Sequence, residues 1–565
     1  MKELSRRGFL VGASALGGAA MAACVTGCSP QNETESGSMG SSEAATDQPA
    51  FLTPDDPIAE DKVSQTEEAD VVVVGAGTSG LVSALSAAQS GLDVILISAS
   101  SGPISRGGSN NAVYSRAMEA AGVSRVPYSA IQAEMLHGAY RPDQEKWNLY
   151  YNNSEEAMNW LIGIMEDEGY QTVLEDSAGF DFSSPFWQPV SSHGWCDPES
   201  PSAGGGQGFV VETLAKKIEE AGGTIHYSTI ARQLVRGGSP NGQDGRVDAV
   251  LAELEDGSFA KYVGKKAVIL ATGDFSANGE MMKEYCGWAA PYFQDSPDGD
   301  YDGSITMGGL YRGDGHRMGL WVGAAWQDIV PCCCMGGNIC VGPWRQLQEN
   351  FCGLLVNENG HRYMNEAATS ALGGMAAMLQ PHHTAYALWN ADYAEFHKGH
   401  WHEFGSAYGI TPKRDPEAVV AEWDASVENG TYVRADTLEE LVELLGLPAS
   451  TVDTVERYNR FCSAGNDPDF HKESAFLAPL EKGPFYGAKK DTPDAMTVLG
   501  GLKTNADMQV CDKEGQPIDG LYNVGSMVGD FYSGIYTFQL QGVNLGACCL
   551  TFGYLTGKRI AQENC

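Results

Sequence analysis

Three glycines with a fixed spacing follow a run of β-branched residues. The run ends at Val74, and the motif Gly75–Gly80 (G-A-G-T-S-G) comes directly after it. Leu81–Gly91 then has the pattern of an Ala-rich amphipathic helix, and Asp93–Ser98 that of a second strand. A tight glycine turn lets the backbone approach a pyrophosphate, and a helix that starts there offers free N–H groups. Strand, glycines, helix and strand in this order predict a dinucleotide-binding unit.

Cysteines and histidines are the other groups that could hold a cofactor. The sequence has 14 cysteines, three of them consecutive at Cys332–Cys334. It contains no C-x-x-C spacing, which haem attachment and ferredoxin-type clusters use. The group His397, His400 and His402 lacks a helical pair of histidines with a glutamate between them. We interpret the cysteines as small buried hydrophobes and the histidines as packing or solvated residues, with a metal site as the alternative.

These groups belong to a long and strongly acidic chain. It has 565 residues, with 36 Lys plus Arg against 73 Asp plus Glu, and a formal net charge of −37. A nucleic-acid binder or a protein drawn to anionic lipid needs a basic surface, so the charge argues against both. The length allows roughly two to four domains, or fewer if one interrupts another.

The N-terminus has the pattern of an export signal. Adjacent arginines in Ser5–Leu10 (S-R-R-G-F-L) precede an uncharged run rich in Ala and Gly, which predicts export by the twin-arginine route. Val25–Cys28 resembles the lipobox of bacterial lipoproteins. We therefore expect a lipid anchor on Cys28 at the outer face of the cytoplasmic membrane, and this anchor would be the only contact with the membrane. Cleavage at Ala20–Ala22 without lipid is the alternative.

Strand-like runs that end on glycines recur far downstream, and a final helix is predicted near the C-terminus. Here the sequence resembles the flavoprotein family of fumarate reductases, succinate dehydrogenases and 3-ketosteroid dehydrogenases, over nearly everything from Ala69 to Gln562. The segments that carry the resemblance, besides the glycine motif, are Thr224–Tyr227, Arg246–Leu254, Ala267–Phe275, Gly313–Gly315, Val356–Glu366, Thr437–Leu441, Thr454–Asn459, Gly500–Leu502, Gly520–Gly525 and Gly542–Gly557.

The resemblance implies an α/β fold in which a Rossmann-like FAD-binding domain is interrupted by an α+β capping domain. After the signal (residues 1–28) and a flexible acidic linker (29–66), the FAD-binding domain would comprise residues 67–325 and 496–565. The capping domain, which would close over the flavin, would be residues 326–495. We predict non-covalent FAD, because no histidine lies in the segment after the second strand where complex-bound relatives carry the covalent link.

The resemblance also implies where FAD would contact the chain. The final helix would direct the N–H groups of Asn544 and Leu545 at the N1/O2 edge of the flavin, where the positive end of its dipole favours the anionic reduced form. The implied contacts are Gly75, Gly77, Thr78, Ser79 and Gly80 at the pyrophosphate, Ser98 at the ribose, Gly107, Gly108 and Ser109 after the second strand, Ala231, Thr272, Gly273 and Asp274 on the adenine side, Gly525 and Ser526 at the ribityl chain, and Gln541, Gly542, Asn544 and Leu545 at the flavin.

The cationic residues with which the family binds dicarboxylates are missing. Where the family has the Arg that donates the proton, this chain has Ala367–Ala371. Where the family has a substrate-binding His, this chain has Thr497–Leu499. A second Arg is replaced within Gln539–Gln541. A small dicarboxylate needs cationic partners, so fumarate and succinate are not the expected substrates. The uncharged replacements favour a neutral or aromatic small molecule.

The segment 531–539 (F-Y-S-G-I-Y-T-F-Q), an aromatic loop before the final helix, supplies the candidate proton donor. In reductases of conjugated enones and steroid-like substrates a Tyr-type acid handles the proton or polarises a carbonyl, and Tyr536, with Tyr532 second, fits that role. The alternative is that both tyrosines only pack the pocket wall. Arg345 and His193 are weaker candidates.

Three functions follow from these observations. The main hypothesis is an exported, lipid-anchored respiratory reductase of an activated C=C bond, serving anaerobic respiration. Because the chain has no haem motif, its electrons would come from a separate membrane-bound or haem-carrying donor. The alternatives are a 3-ketosteroid-like dehydrogenase and a flavin-carrying electron-relay or binding lipoprotein without a substrate of its own.

Overall fold

The computed structural model describes most of the chain beyond the N-terminus. The described residues are 48–104, 106–137, 143–175, 189–204, 206–293, 295–296, 301–302, 311–336, 353–368, 370–398, 415–490, 494–537 and 539–562. The strands are β1 (Val63–Val74), β2 (Val94–Ile97), β3 (Asn110–Asn111), β4 (Gln171–Glu175), β5 (Ser192–Asp197), β6 (Ser200–Gly204), β7 (Thr224–His226), β8 (Ile230–Arg236), β9 (Ser239–Pro240), β10 (Val247–Glu253), β11 (Phe259–Leu270), β12 (Cys332–Gly336), β13 (Leu354–Val356), β14 (Ala385–Asn390), β15 (Val433–Ala435), β16 (Phe485–Lys490), β17 (Asp494–Leu499), β18 (Gln509–Cys511) and β19 (Pro517–Asn523).

Helices lie between these strands and at the C-terminus. The α-helices are α1 (Thr78–Gln89), α2 (Arg116–Ala120), α3 (Tyr128–His137), α4 (Gln144–Asp167), α5 (Gln207–Glu220), α6 (Gly279–Cys286), α7 (Asp314–Trp321), α8 (Ser370–Met378), α9 (Asp392–Lys398), α10 (Pro416–Glu428), α11 (Leu438–Leu444), α12 (Thr451–Ala464) and α13 (Phe552–Gln562), and a π-helix (Asn544–Thr551) leads directly into α13.

The main sheet confirms the predicted Rossmann-like core. Its order is β7-β2-β1-β11-β10-β8-β9, and β19 joins it by pairing with β11 and β18. β7, β2, β1, β11 and β19 run parallel, whereas β10 pairs antiparallel with both of its neighbours, β11 and β8. The last four residues of β1, Val71 to Val74, are at most 3% exposed. A strand covered on both faces is expected to be a continuous β-branched run, and this is what the sequence contains.

One face of this sheet is covered by helices from both ends of the chain. α1 packs against α13, the π-helix and α5. Gly553 and Gly557 allow the close approach of the C-terminal helix, because a Cβ on Gly557 would lie 2.6 Å from the carbonyl oxygen of Ser83 in α1. The C-terminal segment is therefore part of the same core as the first strand, as the interrupted domain requires.

The residues between β12 and β17 form an α+β arrangement of their own. A four-stranded antiparallel sheet has the order β13-β14-β16-β15, and two hydrophobic clusters, around Trp389 and around Tyr458, cover its faces. β12 pairs with β17 where the chain leaves and re-enters the FAD-binding region. Residues 49–565 form one compact unit, so the domain boundaries at 325 and 496 stay a prediction.

The linker prediction is wrong for residues 49–66. Phe51 is 4% exposed, and its carbonyl oxygen accepts a hydrogen bond from Trp321 Nε1 at 2.9 Å. β1 begins at Val63, with Val63 paired to Phe259. A single buried aromatic residue without periodic apolar neighbours gives no pattern to detect, which is why composition alone assigned this segment to the linker. The signal, Cys28 and linker residues 29–47 lie outside the described residues.

Among the helices that the structure describes, none has the length and apolar character of a membrane span.

Candidate cofactor and active site

Three glycines shape the turn between β1 and α1. Gly75 has φ +114°, and a Cβ on it would lie 2.4 Å from the carbonyl oxygen of Ala271. A Cβ on Gly80 would lie 1.9 Å from the carbonyl oxygen of Gly75. At Gly77 the nearest atom would be the carbonyl oxygen of Ile104 at 3.6 Å, an ordinary contact. Gly75 and Gly80 therefore keep the turn tight, while Gly77 leaves room beside the helix N-terminus, as a pyrophosphate requires.

The N-terminus of α1 is suited to an anion. Its N-cap residue is Gly77, which has no side chain to cap the helix, and Thr78 and Ser79 in the first turn are buried. The N–H groups of this turn and the positive end of the helix dipole stabilise a phosphate. The structure thus brings together all five residues predicted at the pyrophosphate.

The predicted ribityl contacts lie beside this helix start. A Cβ on Gly525 would lie 2.5 Å from Ser79 Oγ. The backbone carbonyl of Ser526 accepts a hydrogen bond from Gly500 N at 2.8 Å. The turn at 525–526 therefore connects the helix N-terminus with the Gly500–Gly501 segment that follows β17.

Ser98, predicted at the ribose, braces the glycine turn from the end of β2. Its hydroxyl accepts a hydrogen bond from Ala76 N at 3.3 Å and lies 2.8 Å from Ser100 Oγ. Since Ser100 donates to the carbonyl oxygen of Gly102, the Ser98 hydroxyl donates to Ser100. Ser98 can therefore offer only a lone pair to a ribose hydroxyl.

Ala231, in β8, packs in the hydrophobic cluster that contains the ends of β1 and β2.

Thr272, Gly273 and Asp274 follow β11 as predicted, but Asp274 is used inside the protein. Its carboxylate accepts hydrogen bonds from Ser276 Oγ at 2.6 Å, from Thr497 Oγ1 at 2.5 Å and from Val498 N at 3.1 Å. Arg106 Nη1 lies 3.7 Å away. The side chain of Asp274, which we expected on the adenine side, therefore connects β11 with β17.

The neighbours of Asp274 shape the turn after β11. Thr272 Oγ1 accepts a hydrogen bond from Gly315 N at 3.1 Å, at the start of α7. A Cβ on Gly273 would lie 2.6 Å from the ring of Tyr311. A glycine is therefore required where the Tyr311 ring packs on the backbone. Burial raises the pKa of Tyr311, and the charge of Asp274 raises it further, whereas Arg106 lowers it.

The glycine segment after β2 runs beside the start of the last helix. A Cβ on Gly107 would lie 3.5 Å from Leu545 Cδ1, and a Cβ on Gly542 would lie 2.3 Å from the carbonyl oxygen of Ser109. Asn111 N donates to the carbonyl oxygen of Gly542 at 3.2 Å. The carbonyl oxygen of Gly108 accepts from the side chain of Asn110 at 3.0 Å. Predicted contacts more than 400 positions apart in sequence thus line one region.

Gln541 is fixed at this junction by both its backbone and its side chain. Its carbonyl oxygen accepts hydrogen bonds from Asn111 Nδ2 and Ser192 Oγ, each at 2.7 Å. Its amide donates to Glu175 Oε1 at 2.8 Å. Glu175, which is 7% exposed, was not found from the sequence, because nothing local marks the end of β4 as part of a site.

The last helix begins with a π-helical segment. All eight of its residues, Asn544–Thr551, have π-helical hydrogen bonding where a regular helix was expected. π-Helical segments frequently occur at functional sites. Asn544, at its start, has a buried side-chain oxygen that finds no hydrogen-bond partner among the described residues. A buried polar atom without a partner needs one, and bound FAD would provide it.

Tyr536 reaches the same helix start. Its phenol oxygen accepts a hydrogen bond from Asn544 N at 3.4 Å, and the residue is 4% exposed. The N–H of Asn544, which we expected to point at the flavin, is therefore directed at Tyr536 in this structure. Burial raises the pKa of Tyr536 well above its usual value, the bond from Asn544 lowers it, and the neighbouring Cys334, Glu134 and Cys548 raise it. The phenol is therefore protonated at neutral pH, as a proton donor must be.

Tyr532, the second candidate, is hydrogen-bonded to a buried carboxylate. Its hydroxyl donates to Glu134 Oε1 at 2.7 Å, and it is 1% exposed. Its ring packs edge-on against Trp147, Phe531 and Tyr536. Burial and the charge of Glu134 raise its pKa. Tyr532 thus packs against Tyr536 with its hydroxyl bonded to Glu134, and its catalytic role stays a prediction.

His193 is also corrected from a catalytic candidate to a structural residue. It lies fully buried in β5. Its Nδ1 donates to the carbonyl oxygen of Asn110 at 3.1 Å, and its Nε2 accepts from Ser115 Oγ at 2.7 Å. Burial lowers its pKa to about 4, so the ring is neutral with both nitrogens used. Arg345, the remaining candidate, lies outside the described residues.

The arrangement fits FAD. Gly77 leaves room at an uncapped helix N-terminus, the glycines at 107–108 and 542 line the segment towards the last helix, and Asn544 presents a buried oxygen without a partner in the described residues. The residues predicted at the pyrophosphate, the ribityl chain and the flavin therefore lie along one continuous path.

Comparisons with known proteins agree with this arrangement. The chain is 26% identical over 524 residues to the vinyl phenol reductase of Lactiplantibacillus plantarum, which covers 87% of this chain and 96% of that protein. It is 27% identical over 520 residues to the urocanate reductase of Eggerthella lenta, covering 88% and 75%. The open conformation of a flavocytochrome c3 fumarate reductase has the same fold, with a TM-score of 0.61 at 21% identity, covering 90% of this chain and 81% of that one. The model of the FAD binding domain family matches residues 70–545, so the chain belongs to this family and FAD is its cofactor.

Proposed function

We propose that this flavoprotein reduces an activated C=C bond of a neutral or aromatic small molecule, with Tyr536 as the proton donor. The observation that carries the proposal is the position of Tyr536: a buried, protonated phenol at the first turn of the helix that is expected to face the flavin. Two relatives that match most of the chain are named as reductases of a vinyl phenol and of urocanate, and both names imply a conjugated double bond.

The chemistry divides between the cofactor and the chain. Reduced FAD, when bound, supplies a hydride to one carbon of the double bond. Tyr536 delivers the proton to the other carbon, or to a conjugated carbonyl, by general acid catalysis. The N–H of Asn544 points at the phenol oxygen, so it stabilises the negative charge that develops when the proton leaves. Hydride and proton together saturate the bond.

The charge around the site supports a substrate without two carboxylates. Two uncharged residues stand where cationic ones were expected, and each is hydrogen-bonded to a buried carboxylate: Thr497 to Asp274 at 2.5 Å, and Gln541 to Glu175 at 2.8 Å. The guanidinium of Arg106 is ion-paired with Asp274. Neither uncharged residue offers the cationic partner that a dicarboxylate needs, whereas a phenol or an enone does not need one.

Export and electron supply are further parts of the proposal. The paired arginines and the lipobox support export by the twin-arginine route and a lipid anchor on Cys28. In the cell envelope, soluble nicotinamide is not the expected donor, so a separate membrane-bound or haem-carrying protein delivers the electrons. FAD is bound non-covalently in this proposal, since residues 106–111 contain no histidine. FAD that stays with the protein after denaturing precipitation would contradict this last point.

The test is reoxidation of the reduced holoprotein without oxygen. The flavin is reduced with dithionite, and a vinyl phenol, a cinnamate-like acid, an enone steroid and fumarate are added separately while flavin absorbance is followed. We expect reoxidation by at least one of the first three and none by fumarate, with the saturated product identified by mass spectrometry. Reoxidation by none of the conjugated compounds would refute the reductase, and rapid turnover of fumarate alone would refute the substrate class.

A further inference from the structure

We propose that Glu134 is a positioning residue for Tyr536; this inference rests on the proposed function of Tyr536 as proton donor. Glu134 lies in α3, nearly 400 residues before the aromatic loop, and is fully buried. Tyr532 donates to its Oε1 at 2.7 Å, and Thr537 donates from Oγ1 to its Oε2 at 2.6 Å. One carboxylate therefore binds the loop on both sides of Tyr536.

The two hydrogen bonds determine the backbone path at Tyr536. Thr537 is the next residue in the chain, and its hydroxyl also accepts a hydrogen bond from Gln539 N at 3.0 Å. Hydrogen bonds to an ionised carboxylate are shorter and stronger than those between neutral groups. A buried carboxylate that lost either hydroxyl would keep a desolvation penalty, so the loop is held in this conformation.

Tyr532 transmits this constraint to the ring of Tyr536. The two rings pack edge-on, with centroids 5.0 Å apart. Tyr532 is itself enclosed by Trp147, whose Nε1 donates to the carbonyl oxygen of Phe531 at 2.9 Å. This packing holds the phenol of Tyr536 in the orientation in which it accepts the hydrogen bond from Asn544 N. Reaction rates depend steeply on such placement, because a displacement of about 1 Å can cost roughly 100-fold.

The charge of Glu134 acts in the same direction as its hydrogen bonds. Burial is the main cause of the raised pKa of Tyr536, and Cys334 on β12, Glu134 on α3 and Cys548 on the π-helix add to it, while Asn544 opposes them. A negative charge near a phenol keeps its proton bound. Replacing Glu134 by Gln removes this charge and one of the two acceptor oxygens while preserving the shape of the side chain.

The experiment is a double-mutant cycle in the holoprotein. Glu134→Gln, Tyr536→Phe and the double variant are compared by kcat and KM with the substrate that the wild-type protein turns over. We expect Glu134→Gln alone to lower kcat by about 10- to 100-fold, with KM changed by less than about twofold. In the Tyr536→Phe background the same change should alter kcat by less than about twofold, because coupled residues are not additive.

A second variant keeps the test decisive if Glu134→Gln does not fold. Thr537→Val removes one anchor but leaves the carboxylate bound to Tyr532, and Thr537→Ser restores the hydroxyl. Thr537→Val should lower kcat in the same coupled way, and Thr537→Ser should recover it. Glu156→Gln is the matched control. Glu156 accepts a hydrogen bond from the Tyr554 hydroxyl at 2.9 Å and not from the aromatic loop, so this variant should leave kcat unchanged.

The outcomes separate this inference from the proposed function. Equal losses from Glu134→Gln in both backgrounds would show a general structural effect and overturn the positioning role. Unchanged kcat in Glu134→Gln, or in a folded Thr537→Val, would overturn it as well. If the wild-type protein turns over no conjugated substrate, the proposed function fails first and this inference falls with it.

Discussion

The phenol oxygen of Tyr536 and the backbone nitrogen of Asn544 lie 3.4 Å apart, and the N–H donates to the phenol. This hydrogen bond joins the aromatic loop to the helix that is expected to face the flavin. In this hydrogen bond the phenol oxygen is the acceptor, so the bond does not use the phenol proton. The relationship is a geometric basis for proton donation at the flavin end of the site.

Replacing Tyr536 by Phe should therefore slow substrate reduction without loss of the cofactor. We expect kcat to fall by about 100-fold or more, because a positioned general acid contributes this much. Flavin content, measured from the visible absorbance, should stay unchanged. Tyr554→Phe is the control, since the Tyr554 hydroxyl donates to Glu156 and not to the aromatic loop. An unchanged kcat in Tyr536→Phe would remove the residue from the mechanism.

The glycines of the first turn should respond differently to alanine. Gly80→Ala places a Cβ 1.9 Å from a backbone oxygen that cannot move aside, whereas Gly77→Ala meets nothing closer than 3.6 Å. We expect Gly80→Ala to lower the melting temperature and FAD content together. Gly77→Ala should keep the apoprotein fold but lower FAD occupancy, because its Cβ lies in the space that the pyrophosphate needs.

Gly208→Ala is the control for these two variants. Gly208 is exposed in α5, and a Cβ on it would meet no atom within 4 Å. Alanine in a helix is more favourable than glycine, so melting temperature and FAD content should not fall. A Gly77→Ala protein with full FAD occupancy would contradict the assignment of the pyrophosphate to this turn.

The sequence predicted the cofactor unit well because its determinants are local. The β-branched run, the glycines and the helix occupy residues 70–91, and the structure places β1 and α1 there. The partners of the polar side chains could not be predicted. Thr497 and Asp274 are 223 positions apart, and Tyr532 and Glu134 are 398 apart. Such pairs arise from tertiary packing, and no spacing in a single sequence encodes them.

The segment Val356–Glu366 shows a related limit of sequence analysis. It carried the resemblance, but the structure shows Arg362 and Glu366 as a buried ion pair: Nη2 lies 2.9 Å from Glu366 Oε2 and 2.9 Å from Asp467 Oδ2. Lys472 joins at 3.4 Å from Glu366. These residues connect the segment after β13 with the loop after α12, so their role is structural.

Removing Glu366 should therefore destabilise the protein strongly. Glu366→Ala leaves two buried cations with less compensation, and breaking such a pair costs about 3–5 kcal/mol. Arg457→Met is the matched control, since its side chain is 56% exposed in the bidentate pair with Asp469. An exposed pair contributes at most about 1 kcal/mol. Urea unfolding of both variants measures the difference, and similar losses would contradict the structural role.

Two buried histidines should make the protein less stable in mild acid. Burial lowers the pKa of His193 and of His316 to about 4, whereas an unfolded histidine titrates near 6.5. Between these values the unfolded chain binds more protons than the folded one, so stability is lost as the pH falls from about 6.5 to about 4. Above about 6.5 neither state binds the proton, and the contribution is complete.

The magnitude can be isolated with His193→Gln. Each histidine contributes on the order of 3 kcal/mol across this range, and carboxylates that titrate in the same range affect the wild-type protein and the variant alike. The difference between their unfolding free energies, measured by urea at several pH values, should therefore be constant above pH of about 6.5 and shrink below it. Because Gln loses the bond to Ser115 or to Asn110, the variant should be less stable near neutral pH. A difference that stays constant down to a pH of about 4 would show that His193 is protonated in the folded protein, and its neutral, structural role would have to be abandoned.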